Sequence, residues 1–396
     1  MSEFAPPKYV SDIISCLNIL GHAAYPVGGC VRDLLLGRRP NDWDVCTAAL
    51  PEQVLEAFPG ALTIGIKHGT VAVRSGKKLV EVTTFRTETG YSDHRSPDSV
   101  SFISDLYGDL ARRDFTVNAM ALDADGSVID PFGGRDDLRR GIIRCVGNPD
   151  DRLSEDALRM LRALRFAAQL GFGIDPDTLG AIYENAHLAL LLSAERVRDE
   201  LQKILISPSP ELIVTAVNSG LLSGYISPGL SSAPAALRHI PRQPRLRWCA
   251  LCAWLKSSGA VSDISGLLTA LRLDSASVRT CSSGAEAALS GYPEDPAAWK
   301  KLASRLGSET AECAAAACQV LCGKNALSRF RAALSSGECF SLDTLALRGS
   351  DLSAAGFSGK DIGYALNAAL DHVIEHPEDN DADTLMRFVK SIFSVR

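Results

Sequence analysis

Tyr25-Pro-Val-Gly-Gly-Cys-Val-Arg-Asp33, followed by Asp42-Trp-Asp44 and Val45-Cys-Thr-Ala-Ala49, decides the fold of the first third of the chain. It reads as a strand end, a Gly-Gly turn, a helix start and a second strand. Gly28 and Gly29 let backbone N–H groups approach a phosphate closely, and the helix start adds a favourable dipole. Arg32, in the first helical turn, is placed to pair with that phosphate. Asp42 and Asp44 are two residues apart, so on an extended segment they point to one side. Two like charges held together are costly without a cation between them, and hard oxygen ligands suit Mg²⁺. An isolated Asp-x-Asp is ordinarily a solvated turn. A third acid, Glu81 in Leu79-Val-Glu-Val-Thr-Thr-Phe85, changes that reading. Two aspartates and a glutamate on a neighbouring strand make a metal site for phosphoryl transfer.

Outward from this stretch, short β-branched runs recur at 62–66, 70–74, 79–85, 99–103 and 127–129, separated by Gly, Pro, Asp and Asn. Helical stretches interleave at 10–20, 31–36 and 51–57. The expected fold is α+β, with a mixed β-sheet and helices in the head and an all-helical remainder. After residue 150 the texture changes. The spacing of Leu158, Leu161, Leu164 and Ala168 predicts one helix over 154–170, opened by Ser154-Glu-Asp156. Almost no strand signal follows. The expected parts are a catalytic head at 1–148, a helical neck at 149–208, a helical body at 209–330 and a helical tail at 331–396.

Composition narrows the function classes. The chain has 396 residues, 46% hydrophobic and 22% charged, with a net charge of −6. That is an ordinary globular profile rather than a disordered one. No apolar run approaches the ~18 to 20 residues of a membrane span, and the N-terminus does not read as a signal peptide. The 11 cysteines are odd in number and scattered among apolar neighbours, which points to buried free thiols and a reducing, cytoplasmic setting. Cys249-x-x-Cys252 has no second pair at zinc-site spacing and is expected to be core.

Several ordered blocks carry a family resemblance. Gly28-Gly29-x-x-Arg32-Asp33 with Asp42-Trp-Asp44 resembles the head of the polymerase β nucleotidyltransferase superfamily, and more narrowly the bacterial class II tRNA nucleotidyltransferases and bacterial poly(A) polymerases. Gly65-Ile-Lys-His-Gly-Thr70 and Glu81-Val-Thr-Thr-Phe-Arg86 are similar to that family's second β segment. Tyr91-Ser-Asp-His-Arg95 with Pro97 resembles its flexible loop. Arg112-Arg-Asp-Phe-Thr-Val-Asn-Ala119, Asp130-Pro-Phe-Gly-Gly134 and Glu155-Asp-Ala-Leu-Arg159 complete the series. Together they cover roughly the first 200 residues.

The resemblance implies a template-independent enzyme that builds or repairs the CCA end of tRNA from CTP and ATP with Mg²⁺, releasing pyrophosphate. Asp42 and Asp44 would hold the metal, and Glu81 would align the attacking hydroxyl. Gly28, Gly29, Arg32, Arg113, Asp114 and Asn118 would bind the nucleotide, with Asp114 on the ribose. Asp156 and Arg159 would read the base, and Arg162 and Arg165 would meet the triphosphate or hold the pocket. The tRNA is expected on the helical region, where 212–262 lacks acids but holds Arg238, Arg242, Arg245, Arg247 and Lys256. A Gly-Lys turn at Gly359-Lys360 is a second expected phosphate contact. Addition of CC alone or A alone, poly(A) synthesis, and a non-catalytic RNA-binding relative are the competing readings.

Overall fold

The computed structural model describes residues 5–91 and 97–393. The chain divides into two compact units, with the boundary between Gly224 and Tyr225.

The first unit is built on a five-stranded mixed sheet. Its strands are β1 (Ala24–Pro26), β2 (Asp44–Thr47), β3 (Leu62–Gly65), β4 (Thr70–Ser75) and β5 (Lys78–Thr84), in spatial order β1-β2-β5-β4-β3. β2 and β5 run parallel, and the other neighbours are antiparallel. Helix α1 (Lys8–Ile19) buries Val10, Ile13, Ile14 and Leu17, one stripe at helical spacing. With α3 (Pro51–Ala57) it covers one sheet face, where Val71, Val73, Val80 and Val82 are buried. The opposite face carries Asp44 and Glu81. Between β1 and β2 lies α2 (Gly29–Leu35), entered through Gly28 at φ 80°.

Beyond the sheet, β6 (Arg86–Thr89) pairs antiparallel with β7 (Ser99–Phe102). The stretch expected as a flexible loop, Tyr91 to Pro97, falls in sequence between these two strands, and its residues 92–96 lie outside the described residues. Then come α4 (Leu106–Ala111), a 3₁₀ turn over Thr116–Asn118, the pair β8 (Ala121–Leu122) and β9 (Val128–Ile129), and α5 (Gly134–Arg140). β10 (Ile142–Ile143) pairs with β11 (Gly173–Ile174), a short parallel bridge into the region expected to be purely helical.

The single helix expected over 154–170 is two. α6 (Pro149–Glu155) ends at Asp156, whose backbone is extended at φ −131°, ψ 105°, and α7 (Leu158–Leu170) begins just after it. The Asp156 side chain supplies the reason: Oδ1 accepts from the Leu158 N–H at 3.1 Å, opening a new helix. The hydrophobic period continues through the break and so hides it. α8 (Pro176–Asn185), α9 (Ala194–Leu205) and α10 (Ile213–Asn218) follow.

The second unit is helical among its described residues. α11 (Pro244–Ser257) is buried nearly all round, including Trp248, Cys249, Leu251, Cys252 and Leu255. After α12 (Ile264–Ala270), it packs against α13 (Ser275–Ser290) and, past α14 (Pro296–Leu306), against α15 (Ser308–Cys322). Burial drives the Cys249 and Cys252 thiols well above their ordinary range, as befits packing groups. α16 (Ala326–Leu334) and α17 (Gly349–Ala354) lead to α18 (Lys360–Glu375) and α19 (Ala382–Ile392). Leu352, Phe357, Leu370, Val373, Leu385 and Val389 pack together there.

The basic stretch does not form one free surface. Arg247 is 1% exposed and donates to the Ile240 carbonyl at 2.8 Å. Arg245 pairs with Glu309, and Lys256 with Glu286 at 2.5 Å. Arg245 and Lys256 reach from α11 to α15 and α13, while Arg247 is a packing group. Among the described residues no helix is long and apolar enough to cross a membrane.

Gly134 shows how tightly the head is assembled around the turn over Thr116–Asn118. A Cβ there would lie 2.3 Å from the Thr116 carbonyl oxygen, a backbone atom that cannot step aside. Gly134→Ala should destabilise the protein by about 2 kcal/mol or more. Gly180 on α8 has open space around it, and Gly180→Ala should be neutral or stabilising by roughly 0.5–1 kcal/mol. Urea unfolding curves of both variants check the contrast.

Candidate active site

A cavity of about 700 Å³ opens within the first unit, lined by residues from 28 to 196. It gathers Gly28, Gly29, Arg32, Asp44, Arg113, Asp114, Asn118, Asp156, Arg159 and Arg162, ten of the residues singled out in the sequence. Asp42, Glu81 and Arg165 are not on its wall.

The glycine turn is part of its wall. A Cβ on Gly28 would lie 3.0 Å from Arg113 Nη1, so both the positive φ and this close approach call for glycine. Asp44 sits at the start of β2, and its register partner on β5 is Glu81. Asp42 precedes the strand in a bend rather than on it. Still, exposed Asp42 and Asp44 flank Trp43, which is 7% exposed, so the alternation survives and both acids face outward. Desolvation, then the Glu81 carboxylate, push the Asp44 carboxyl upward; Arg113 opposes the shift and Asp42 adds to it. Among the described residues no three His, Cys, Asp or Glu side chains form a ready-made cation cage. An exposed pair of hard carboxylates repelling a third suits Mg²⁺, which uses one or two carboxylates and completes its shell with water and phosphate oxygens.

The arginines are fixed by carboxylates behind the wall. Asp109, fully buried on α4, accepts from Arg112 at 2.7 Å and from Arg113 at 3.0 Å. Burial alone would raise its carboxyl, but the two guanidiniums hold it below the usual range. Arg32 donates to Asp33 at 2.8 Å and to Asn118 Oδ1 at 2.8 Å. Asn118 Nδ2 donates in turn to Asp114 at 3.3 Å. Asp114 also accepts from the Phe115 N–H at 2.8 Å and from Arg162 Nε at 2.9 Å. Burial pushes Asp114 upward, yet Arg162 and these donors bring it to about 2. The Phe166 ring lies beneath three guanidiniums, 5.3 Å from Arg32, 5.4 Å from Arg162 and 4.0 Å from Arg165.

Asp156 and Arg159 both line the cavity but are not paired with each other. Asp156 receives Arg196 Nη2 at 3.1 Å on each oxygen. Arg159 pairs with Glu155 and donates to the carbonyls of Arg152 at 2.8 Å and Arg112 at 3.3 Å. Arg165 turns away to an ion pair with Glu200 at 2.8 Å.

Sequence reasoning missed Arg196, Phe166, Arg112, Arg86 and Glu88. Glu88 accepts from Arg86 at 2.7 Å, Arg112 at 3.1 Å and Tyr91 Oη at 2.6 Å, tying the near end of the loop to the cavity wall. Arg112 stood inside the quoted Arg-Arg-Asp block. Arg196 lay on an unremarkable charged helix, and only a missing partner for Asp156 would have pointed to it.

Residues 24–144 match the family model described as poly A polymerase head domain, and 171–233 match a probable RNA and SrmB-binding site of polymerase A. The CCA-adding enzyme of Geobacillus stearothermophilus is 44% identical over 286 residues, 67% of this chain and 70% of that protein. That of Limosilactobacillus fermentum is 36% identical over 409 aligned positions, covering 98% of this chain and 96% of the relative. A crystal structure of the Bacillus stearothermophilus CCA-adding enzyme in complex with CTP superposes with a TM-score of 0.79 at 35% identity, over 98% of each chain. With relatives matched along nearly their whole length, and a head built around Asp44 and a guanidinium-lined cavity, this chain belongs to the CCA-adding enzymes, a family of nucleotidyltransferases.

Proposed function

We propose that this chain adds the 3′-terminal C, C and A of tRNA, using CTP and ATP and releasing pyrophosphate. The observation that carries the reading is one cavity lined by Asp44 together with Asp156 and Arg159. Reaction chemistry and base choice then occupy a single opening.

Cytosine and adenine each present an exocyclic amino donor beside a ring nitrogen acceptor. Uracil and guanine present a carbonyl and a ring N–H instead. A carboxylate only accepts, and a guanidinium only donates. Asp156 Oδ2 accepts from Arg196, and a second lone pair is left to take an amino hydrogen. Arg159 holds its Nη1 on Glu155 and Arg152, which leaves Nε to meet a ring nitrogen. A wrong base would strand desolvated charged groups, at roughly 1–3 kcal/mol each. Arg196 is the positioning residue, because it fixes the Asp156 carboxylate in the plane it must present.

Arg113 and Arg32 face the triphosphate from the glycine turn. Asp114 is held ionised by Arg162 and Asn118, and its remaining acceptor capacity suits ribose hydroxyls. Asp42 and Asp44 would hold Mg²⁺, and Glu81 would orient the tRNA 3′ hydroxyl. When bound, the metal supplies charge neutralisation at the α-phosphate and the leaving pyrophosphate. The hydroxyl oxygen forms the new bond to the α-phosphorus as the bond to the β-phosphate oxygen breaks. No protein nucleophile is required.

The test is incubation with tRNA ending at its discriminator base plus each nucleoside triphosphate singly and in pairs. CTP alone should add two residues, and CTP with ATP should add three and stop. Addition of A only after a pre-existing CC, with no C incorporation, would overturn the C-adding half. Asp44→Ala should lower incorporation by about 1,000-fold or more. Its tRNA affinity, read by filter binding, should stay within about twofold of wild type, because phosphate contacts of the duplex supply most of that affinity.

A further inference from the structure

The sheet face that carries Glu81 continues well past the cavity. Cross-strand registers run Asp44, Glu81, Ala72 and Leu62 as one row over β2, β5, β4 and β3. The neighbouring row sets Leu79 beside Arg74. Leu79 is 54% exposed and Leu62 42%, a large apolar exposure for one sheet face. Leu79 alternates with buried Val80 and Val82, so it shares the side of Glu81.

The charge bordering this patch has one sign. From residue 57 to residue 80 the sequence contains no Asp or Glu, within a chain whose net charge is −6. Arg74 projects from the same side as Leu79, and the turn between β4 and β5 adds exposed Lys77. An apolar strip edged by cations suits nucleic acid bases stacked against the strip with their phosphates over the rim.

We propose that Leu62 and Leu79, with Arg74 and Lys77 beside them, seat the unpaired 3′ nucleotides of the tRNA and deliver the terminal hydroxyl to Glu81. The proposal rests on the tRNA reading above. Leu79 is two residues from Glu81, about 7 Å along the strand, and Leu62 lies two strands away, about 10 Å. The last nucleotide and the one before it fall within that reach. The surface offers base faces rather than hydrogen-bonding edges. It therefore holds an end whose sequence changes with each addition, which the cycle demands.

Leu79→Glu and Arg74→Glu change exposed side chains and should fold normally. For tRNA ending in CC at saturating ATP, each should raise the KM for tRNA on the order of tenfold. The KM for ATP should stay within about twofold of wild type. Affinity for a tRNA trimmed of its unpaired 3′ nucleotides should not change, since that RNA lacks the segment concerned. An unchanged KM for full-length tRNA overturns the proposal. So does equal weakening for trimmed and full-length tRNA, which would move the effect to the duplex. Self-association of the wild type that Leu79→Glu abolishes, with KM unchanged, would assign the face to a second copy of the chain instead. Failure of the wild type to extend any tRNA would overturn the functional reading itself. Comparison of full-length and trimmed tRNA affinities then still decides whether this face holds an RNA end.

Discussion

The arrangement of the cavity depends on buried carboxylates holding guanidiniums in place. Asp109 grips Arg112 and Arg113 from α4, and Asp114 grips Arg162 across from α7. A buried carboxylate is stable only when paired, so each acid obliges its arginines to adopt one position. Removing one partner of such a pair costs on the order of 3–5 kcal/mol, because the other is left charged and desolvated. The expense yields preorganisation. The guanidiniums that line the cavity are thus held rigid before a nucleotide arrives, with little left to reorder. Phe166 completes the arrangement by giving Arg32, Arg162 and Arg165 a shared apolar floor.

The sheet divides the labour differently. Its valine-rich face is closed by α1 and α3 and provides the stability. Its other face stays open at Asp44 and Glu81, where two carboxylates in register on parallel strands repel one another. That repulsion is tolerated because the opposite face is well packed. Stability and the proposed chemistry thus sit on opposite sides of one pleated layer, which follows from the two-residue period of its strands.

Much of the head was legible in the residues. β-branched runs placed β3, β4, β5, β7 and β9, and the Gly28-Gly29 turn placed α2, because these rest on local rules that tertiary contacts seldom overrule. Ten proposed nucleotide- and metal-contacting positions converge on one cavity, an outcome periodicity alone did not supply; the ordered family blocks did. The break at Asp156 was not legible. The apolar period of 158–168 runs straight into 149–155, and the interruption is made by a side chain competing for the Leu158 N–H. The partners of Asp156 and Arg165 were equally hidden, since Arg196 and Glu200 come from α9, 40 and 35 residues further along. In the helical region, the five cations of the basic stretch include one core group. Arg247 resembles a surface cation in sequence, yet it holds the chain around Ile240 to the core.

Base choice by an acceptor–donor pair is the central claim, and the Asp156→Asn variant examines it most directly. The change keeps shape and volume but replaces an acceptor-only group with one that also donates. The measurement is the ratio of kcat/KM for CTP over UTP, on tRNA ending at its discriminator base, for wild type and variant. The account predicts that the ratio falls by roughly 10- to 100-fold, as a carbonyl-bearing edge becomes acceptable. A variant that discriminates as sharply as wild type would contradict it, leaving Asp156 as the residue that starts α7 and anchors Arg196.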